Sequence, residues 1–258
     1  MVVAGIDVGG RNVHAVVMKD GDVVARGATP AGIDKAGSVE RLFDDVLARA
    51  GLRRDQVART IATGSAGKTV RFASLFVPDA AAVSRGVNRL VPSARTIIDV
   101  GAEEGRAIKV SAEGSVQDFA VNDRCAAGTG TFIEAMARAL EIPVEEMGGL
   151  SLVSARSITM NAQCAVFGES EVVSLIHEKI PRHDIARAVH DAVAGRIGSL
   201  VRIVGLEKDV VLVGGLALSR GFVESLEREI GMDVIVPDEP DYAGALGAAL
   251  EAMTGKEC

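Results

Sequence analysis

Tryptophan is absent from this 258-residue chain, and tyrosine occurs once. With seven phenylalanines and 48% hydrophobic residues, the core must be built mainly from valine, alanine, leucine and isoleucine. Such a chain has no visible aromatic-and-arginine platform for single-stranded nucleic acid. It also lacks the basic stripe that binds a nucleic-acid backbone, since the formal net charge is −7. Composition therefore argues against nucleic-acid binding.

Cysteines and long apolar runs are also scarce. Three cysteines in a chain of this length do not make the disulfide framework of a small secreted domain. No uncharged apolar run approaches the ~20 residues that a membrane span needs. The N-terminus opens on a strand and not on a basic signal segment. These absences predict a cytoplasmic protein without membrane partners, built as one large domain or as two lobes of about 100–150 residues each.

The chain does contain an internal repeat. The letters AGIDVGG at 4–10 recur as TIIDVGA at 96–102, and each copy is followed by another apolar strand and a hairpin turn. This repeat predicts two α/β lobes of common topology. Periodicity predicts helices at 38–50, 131–140, 169–179, 184–204, 221–230 and 243–253, and a short strand at 234–236.

Asp7 and Asp99 end the repeated strands, and a glycine follows each of them at the second position. A glycine there lets the backbone approach a phosphate, while the adjacent carboxylate can orient Mg²⁺ or its waters. Gly214 and Gly215 follow a further apolar strand and precede a helix. A glycine pair after a strand is most often a tight turn, but three such points, two of them in a repeat, predict a nucleotide site.

The segment GSAGKT at 64–69 imitates the end of a P-loop. A P-loop needs glycine where Ala62 stands, and it needs a helix directly after the lysine. Residues 69–79 lack helical periodicity and run into Pro78. We therefore do not assign this segment as a P-loop.

Two of the cysteines lie just before helix-like stretches, Cys125 in NDRCAAGTG at 122–130 and Cys164 in NAQCAVFGESE at 161–171. A thiolate at a helix N-terminus is stabilised by the helix dipole and by unpaired amides, which suits a metal ligand or a reactive thiol. Two thiolates cannot complete a four-cysteine iron–sulfur site, but two chains that supply two each can. The alternatives are inert burial of both cysteines and, for Cys258, an incidental free thiol.

The cysteine motifs are followed in order by VGGLA at 213–217 and GALGAA at 244–249. Together these segments resemble the ATPase family of the 2-hydroxyacyl-CoA dehydratase activators and the ATP-hydrolysing subunits of benzoyl-CoA reductase. The resemblance spans essentially the whole chain. It implies the actin, sugar-kinase and Hsp70 superfold, with two actin-like (ribonuclease H-like) α/β lobes around a nucleotide cleft. Residues 1–95 with 237–258 would form one lobe, and residues 96–236 the lobe that carries the cysteines.

The resemblance also implies the cofactors and partners. ATP with Mg²⁺ would bind in the cleft, with Asp7, Asp99 and Glu103 as catalytic residues. Cys125 and Cys164 would ligate one [4Fe–4S] cluster shared between two subunits. Expected partners are an identical or sister ATPase subunit, acceptor iron–sulfur enzyme subunits, and an electron donor such as ferredoxin. The residues expected to contact the nucleotide are Gly9, Gly10, Arg11, Asn12, Gly101, Ala102, Gly128, Gly130, Gly214, Gly215 and Leu216.

The second phosphate loop departs from the family pattern. Many members read Asp-Ile-Gly-Gly-Gln-Asp, whereas this chain reads DVGAEE at 99–104. Together with GRAI at 105–108, this pattern resembles the delta-type subunit of benzoyl-CoA reductase, while the short chain also suits a homodimeric activator. The implied reaction is ATP hydrolysis that drives low-potential electrons to a CoA-ester reductase or dehydratase. Two rival functions stay open. One is a small-molecule kinase without a cluster, using Asp99, Glu103 or Glu104 as base, and the other is a nucleotide-dependent scaffold or filament former.

Overall fold

The computed structural model describes residues 1–122, 128–160 and 164–254. The chain divides into two compact units. The first unit comprises Met1–Ala94, Val110–Gln117 and Asp241–Cys258, and the second comprises Arg95–Lys109 and Asp118–Pro240.

The first unit is built on a five-stranded sheet in the order β3-β2-β1-β4-β5. The central strand β1 is antiparallel to β2 and parallel to β4. Strand β2 also pairs with β3 in an antiparallel arrangement, and β4 pairs with β5 in a parallel one. The strands are β1 (Val2–Val8), β2 (Asn12–Lys19), β3 (Asp22–Pro30), β4 (Val57–Thr63) and β5 (Leu75–Phe76).

Helices cover both faces of this sheet because its central strands are apolar on both sides. Helix α1 (Lys35–Arg49) packs on the face that carries Ile6 and Val17. Helix α8 (Ala243–Met253) packs on the opposite face, and α2 (Asp79–Leu90) packs against α8.

Contacts between α8 and its neighbours are backbone to backbone. A β-carbon on Gly5 of β1 would overlap the carbonyl oxygen of Ala245, and one on Gly247 would overlap that of Ala82 in α2. Gly86 of α2 meets the Ala243 carbonyl in the same way. The glycines and alanines of α8 therefore set how closely this helix approaches β1 and α2.

The second unit has a four-stranded sheet in the order β8-β7-β6-β9. Its core surrounds α6, a 23-residue helix in which 13 residues are buried. The strands are β6 (Thr96–Val100), β7 (Gly105–Val110), β8 (Val116–Val121) and β9 (Val210–Val213). The helices are α3 (Gly130–Ala139), α4 (Val144–Leu152), α5 (Ala165–His177), α6 (Arg182–Val204) and α7 (Arg220–Ile230).

The two sheets repeat one topology. Strands β3-β2-β1-β4 of the first sheet follow the same order as β8-β7-β6-β9 of the second. In each sheet a hairpin is antiparallel and the strand after the helices returns parallel to the first strand. The internal repeat predicted from the two Asp-Val-Gly segments is thus confirmed.

Several local predictions needed correction. The predicted strand at 234–236 is wrong, because Ile235 makes only an isolated bridge to Val211. Helix α1 begins at Lys35 and not at 38, since the Asp34 carboxylate accepts a hydrogen bond from the Gly37 amide and caps the helix earlier. Helices α2 and α4 and strand β8 were not predicted. No helix in the described ranges is long and apolar enough to cross a membrane.

One ionisable side chain lies inside the core of the second unit. His190 of α6 is 1% exposed, and in the described part of the chain neither ring nitrogen has a hydrogen-bond partner at standard geometry. Burial lowers the pKa of His190 to about 4, against the opposing effects of the Asp191 carboxylate and of a weak bond to the Ala186 backbone. The fold therefore holds this imidazole in its neutral form.

The contact between α2 and α8 gives a first prediction. Gly247→Ala should destabilise the chain by about 1–3 kcal/mol or more, because the added methyl meets backbone atoms that cannot rotate away. Gly149→Ala in α4 is the matched control, since its methyl would meet nothing within 4 Å. That control should be neutral or stabilising by up to about 1 kcal/mol. Urea unfolding of both variants measures the difference, and equal stabilities would contradict the packing described.

The buried histidine predicts acid sensitivity. Between about pH 4 and the ordinary pKa of 6.5 the unfolded state binds a proton that the folded state excludes. The contribution of neutral His190 to the free energy of unfolding is therefore complete above pH 6.5. It is lost as the pH drops toward 4, by roughly 3 kcal/mol in total. Urea unfolding across this range should show a shallower pH dependence for His190→Leu than for the original chain. The exposed His177→Gln serves as control, and an unchanged slope in His190→Leu would contradict this assignment.

Candidate phosphate loops and cysteine site

The two Asp-Val-Gly hairpins have the same loop geometry. The Gly9 amide donates to the carbonyl oxygen of Asn12 at 3.0 Å, and the Gly101 amide donates to that of Glu104 at 2.9 Å. The residue pairs of the hairpins that flank these loops are Val8–Val13 and Val100–Gly105. Gly10 and Ala102 occupy the same position in the two loops, while Arg11 and Glu103 are exposed. Each loop therefore presents compact backbone, as a phosphate loop requires.

The carboxylate of Asp7 lies where two glycines leave room for it. A β-carbon on Gly64, whose φ is +93°, would overlap Asp7 Oδ1. A β-carbon on Gly244 would lie 2.5 Å from Asp7 Oδ2. Gly244 is in the first turn of α8, where the positive end of the helix dipole stabilises a carboxylate.

Asp99 lies beside the corresponding glycine of the second unit but has a different partner. A β-carbon on Gly214, with φ +86°, would lie 2.7 Å from Asp99 Oδ1. Arg106 Nη1 lies 2.6 Å from Asp99 Oδ2, and the same guanidinium binds Glu104. The Arg106 and Asp99 side chains are only 12% and 10% exposed. Asp99 is thus held in a largely buried ion pair, and its expected role toward Mg²⁺ stays a prediction.

Gly64 and Gly214 are equivalent residues of the repeat. Each follows a strand that runs parallel to the aspartate strand, at the register pairs Asp7–Thr63 and Asp99–Val213. Each glycine begins a turn that is closed by one backbone hydrogen bond. The Gly67 amide donates to Gly64 O at 2.9 Å, and the Ala217 amide donates to Gly214 O at 3.1 Å. The P-loop-like letters at 64–69 are therefore the first unit's counterpart of the Gly214 turn.

The same segment lacks the helix that a P-loop needs. It ends in a single 3₁₀ turn, Gly67–Thr69, and the ammonium group of Lys68 lies 5.4 Å from the centroid of the Phe76 ring. This geometry agrees with the prediction that residues 64–69 are not a P-loop.

The second loop is joined to the first turn of α3. The Gly130 amide donates to Gly101 O at 3.0 Å, and the Thr131 amide donates to Ala102 O at 2.9 Å. The Thr131 hydroxyl donates to the same Ala102 carbonyl at 2.6 Å. A β-carbon on Gly130 would lie 2.9 Å from Leu216 Cδ1 and 3.3 Å from Ala102 Cα. Four expected nucleotide contacts are therefore neighbours: Gly101, Ala102, Gly130 and Leu216.

Both ends of the first cysteine motif are tied to this loop. The Asn122 amide donates to Gly105 O at 2.8 Å. Gly128, with φ +88°, lies beside Asn122, since its β-carbon would approach Asn122 Nδ2 to 3.2 Å. Residues 123–127 are outside the described ranges, and so the assignment of Cys125 as a metal ligand stays a prediction.

Cys164 is the N-cap residue of α5 and is partly exposed. Its carbonyl accepts the Gly168 amide at 2.9 Å. Gly168 in turn faces α3, where its β-carbon would lie 3.0 Å from the Phe132 ring and 3.3 Å from Met136 Sδ. A sulfur at this helix terminus fits the ligand chemistry of a thiolate. Across the described ranges, no three His, Cys, Asp or Glu side chains converge as a metal site.

Some side chains at these loops were not anticipated. Arg106 lies seven residues after Asp99 and directly opposite it in the sheet, and His14 stands in the same relation to Asp7. The repeat contained this signal, because aligning its copies places His14 and Arg106 at one position. Thr131 left no such signal, since its role depends on where α3 packs.

Two glycine loops, each next to a strand that ends in an aspartate, define the class of this protein as an ATPase. The chain belongs to the BadF/BadG/BcrA/BcrD ATPase family, which it matches over residues 4–252. The family inferred from the cysteine and glycine motifs is thereby confirmed.

The relatives include both kinds of protein that the motifs indicated. The activator of lactoyl-CoA dehydratase from Anaerotignum propionicum is 39% identical over 253 residues, covering 98% of this chain and 97% of that protein. A benzoyl-CoA reductase subunit from Thauera aromatica is 34% identical over 260 residues, covering 96% of this chain and 92% of that protein. The preference for a delta-type subunit stays a prediction.

A solved structure supports the fold. The activator of the 2-hydroxyisocaproyl-CoA dehydratase from Clostridium difficile with bound ADPNP superimposes with a TM-score of 0.92 at 36% identity, covering 98% of this chain and 95% of that one. The predicted actin-like α/β fold is confirmed.

The joint between the second loop and α3 can be tested by Thr131→Val, which keeps the shape of the side chain and removes its hydroxyl. Loss of the bond to Ala102 should cost about 1 kcal/mol and should speed hydrogen exchange at the Gly130 and Thr131 amides. Thr69→Val is the control, because that exposed hydroxyl donates to Ala66 O at 2.7 Å. Unchanged hydrogen-exchange rates of the amides of residues 130 and 131 in Thr131→Val would refute this contact between the second loop and α3.

Proposed function

We propose that this chain is an ATP-dependent electron-transfer component that delivers low-potential electrons to a CoA-ester dehydratase or reductase. Membership of the ATPase family supports the nucleotide part of this proposal. The names of the relatives, a dehydratase activator and a reductase subunit, support the partner part. ATP binds with Mg²⁺ at the loops of Gly9–Gly10 and Gly101–Ala102, with the adenosine side at Gly214, Gly215 and Leu216.

The observation that carries the proposal is that one candidate phosphate loop bonds to the end of the Cys125 motif and reaches the Cys164 helix through α3. The carbonyl oxygens of Gly101 and Ala102 accept hydrogen bonds from the first amides of α3. The carbonyl oxygen of Gly105 accepts one from the Asn122 amide, at the start of the Cys125 motif. Helix α3 then contacts Gly168, four residues after Cys164. A change in the backbone of this loop on binding or hydrolysing ATP would therefore alter the support of both cysteines.

We assign Cys125 and Cys164 as ligands of a [4Fe–4S] cluster completed by the same two cysteines of a second subunit. When bound, such a cluster supplies one-electron transfer at a low potential. The N-terminus of α5 carries the positive end of the helix dipole beside Cys164, which suits a negatively charged cluster at that position. ATP then acts by biasing the loop and α3 between two arrangements.

The partners follow from this chemistry. The second ligand pair comes from an identical subunit or from a sister ATPase subunit. Electrons enter from a soluble donor such as ferredoxin and leave to the iron–sulfur subunits of the acceptor enzyme, all in the cytoplasm. A small-molecule kinase would instead need a free base near the second loop. The pairing of Asp99 with Arg106 disfavours Asp99 for that role.

Iron analysis after anaerobic purification tests the proposal. Four irons shared by two chains give about two per chain. Cys125→Ser or Cys164→Ser should lose most of this iron and weaken the dimer, while ATP binding persists. Cys258→Ser is the matched control and should retain iron.

Three outcomes would contradict parts of the proposal. Near four irons per chain would exclude a shared cluster. Iron retained in the double Cys125→Ser, Cys164→Ser variant would refute the ligands. An iron-free original chain that phosphorylates a small molecule would establish the kinase alternative.

A further inference from the structure

The two described ends of the Cys125 motif meet beside Arg196 of α6. A β-carbon on Gly128 would lie 3.2 Å from Asn122 Nδ2, 3.1 Å from Arg196 Cβ and 3.7 Å from Arg196 Cγ. The Gly128 carbonyl oxygen would lie 3.3 Å from a β-carbon on Gly105, at the end of the second loop. Arg196 therefore lies at the base of the segment that carries Cys125.

The guanidinium group of Arg196 has no counter-charge in the described ranges. Arg196 is partly buried, and among the described residues it forms neither a hydrogen bond nor an ion pair. Two other partly buried arginines of the second unit do form ion pairs, Arg106 with Asp99 and Arg187 with Asp191. A guanidinium is charged at any working pH, and burying a charge without a partner is costly. The surroundings of Arg196 therefore favour an anion.

Covalent geometry keeps Cys125 close to this charge. Cys125 is three residues from Asn122 and three from Gly128, so its α-carbon lies within about 11 Å of both of their α-carbons. That limit is comparable to the Debye length, roughly 10 Å at moderate salt, and partly buried charges are screened less. Because both ends of the segment are held beside Arg196, a negative charge at Cys125 is within electrostatic range of the guanidinium.

The proposed function supplies such a negative charge. A [4Fe–4S] cluster held by thiolates is anionic, and its reduction potential depends on the charges around it. Reduction adds an electron, so a positive charge nearby stabilises the reduced form more than the oxidised form. A guanidinium at this place would therefore raise the potential of the cluster.

We propose that Arg196 places a fixed positive charge beside Cys125 and raises the reduction potential of the cluster bound there. Because Arg196 packs on Gly128, which in turn contacts Gly105 of the second loop, a shift of that loop would change the distance between this charge and the cluster. This inference rests on the cluster part of the proposed function.

The charge can be measured in iron-free protein. In a Cys164→Ser, Cys258→Ser background Cys125 is the remaining thiol, and its rate of reaction is compared for two disulfides, anionic dithiobis(nitrobenzoate) and neutral dithiodipyridine. The ratio of the two rates cancels the ionisation of the thiol and reports the local charge. Arg196→Gln should lower the anionic-to-neutral ratio by about fourfold at low salt, because it removes the charge that attracts the anionic reagent. Arg196→Lys should retain the ratio.

Arg182→Gln is the matched control. It removes the same charge from the exposed first turn of α6, about 21 Å from Arg196 along the helix axis. The rate ratio should not change in this variant. In the iron-loaded protein, redox titration followed by absorbance should give a more negative midpoint potential for Arg196→Gln and an unchanged one for Arg182→Gln.

Two results would overturn the inference. One is an unchanged rate ratio in Arg196→Gln, as expected if the Asp123 carboxylate already neutralises the guanidinium, and the other is an unchanged midpoint potential. Salt gives the same test in the original side chains, should Arg196→Gln not fold. The ratio should fall as salt rises, whereas a ratio that rises, as the net charge of −7 alone would produce, overturns the inference. A lowered ratio in Arg196→Gln without iron in the original chain would instead refute the proposed function.

Discussion

The carbonyl groups of Gly101 and Ala102 hold the first turn of α3, and much of the second unit depends on this contact. A helix begins with amides that have no partner inside the helix. Here two of them, Gly130 and Thr131, are satisfied by the phosphate loop itself. The loop therefore caps a helix through its carbonyl groups, while the Gly101 amide bonds within the loop to the carbonyl oxygen of Glu104. The Gly130 amide is consequently engaged and is not available as a donor to another group.

The repeat shows how one topology acquires two roles. Between β3 and β4 the first unit has one α-helix, α1, whereas between β8 and β9 the second unit has α3 to α6. Both cysteine motifs lie in this longer stretch, at 122–130 and 161–171. The part common to the copies supplies loops suited to phosphates. The part that differs contains both cysteines and the helix α3, which contacts α5 and one of those loops.

Sequence alone predicted the features that repeat or that carry a local signal. Asp7 and Asp99 identified both loops because glycine and an apolar strand flank each of them. It missed α2, where Pro78 was interpreted only as a break although proline is also favoured at a helix start. The strand expected at 234–236 is reduced to a single bridge from Ile235 to β9, because apolar β-branched letters do not show how many residues will pair with a neighbouring strand. The partners of Asp99 and Asp7 required cross-strand register, and the joint at Thr131 required tertiary packing.

The slight burial of α5 has a consequence for how the second unit opens. Only Gly168 and Val172 of its 13 residues are buried, whereas α6 buries 13 of 23. A helix with so little buried surface separates from the core at a small fraction of the global unfolding free energy. The cooperative unit that resists unfolding is therefore centred on α6 and the sheet. The thiol of Cys164 is mounted on a segment whose local opening leaves that unit intact.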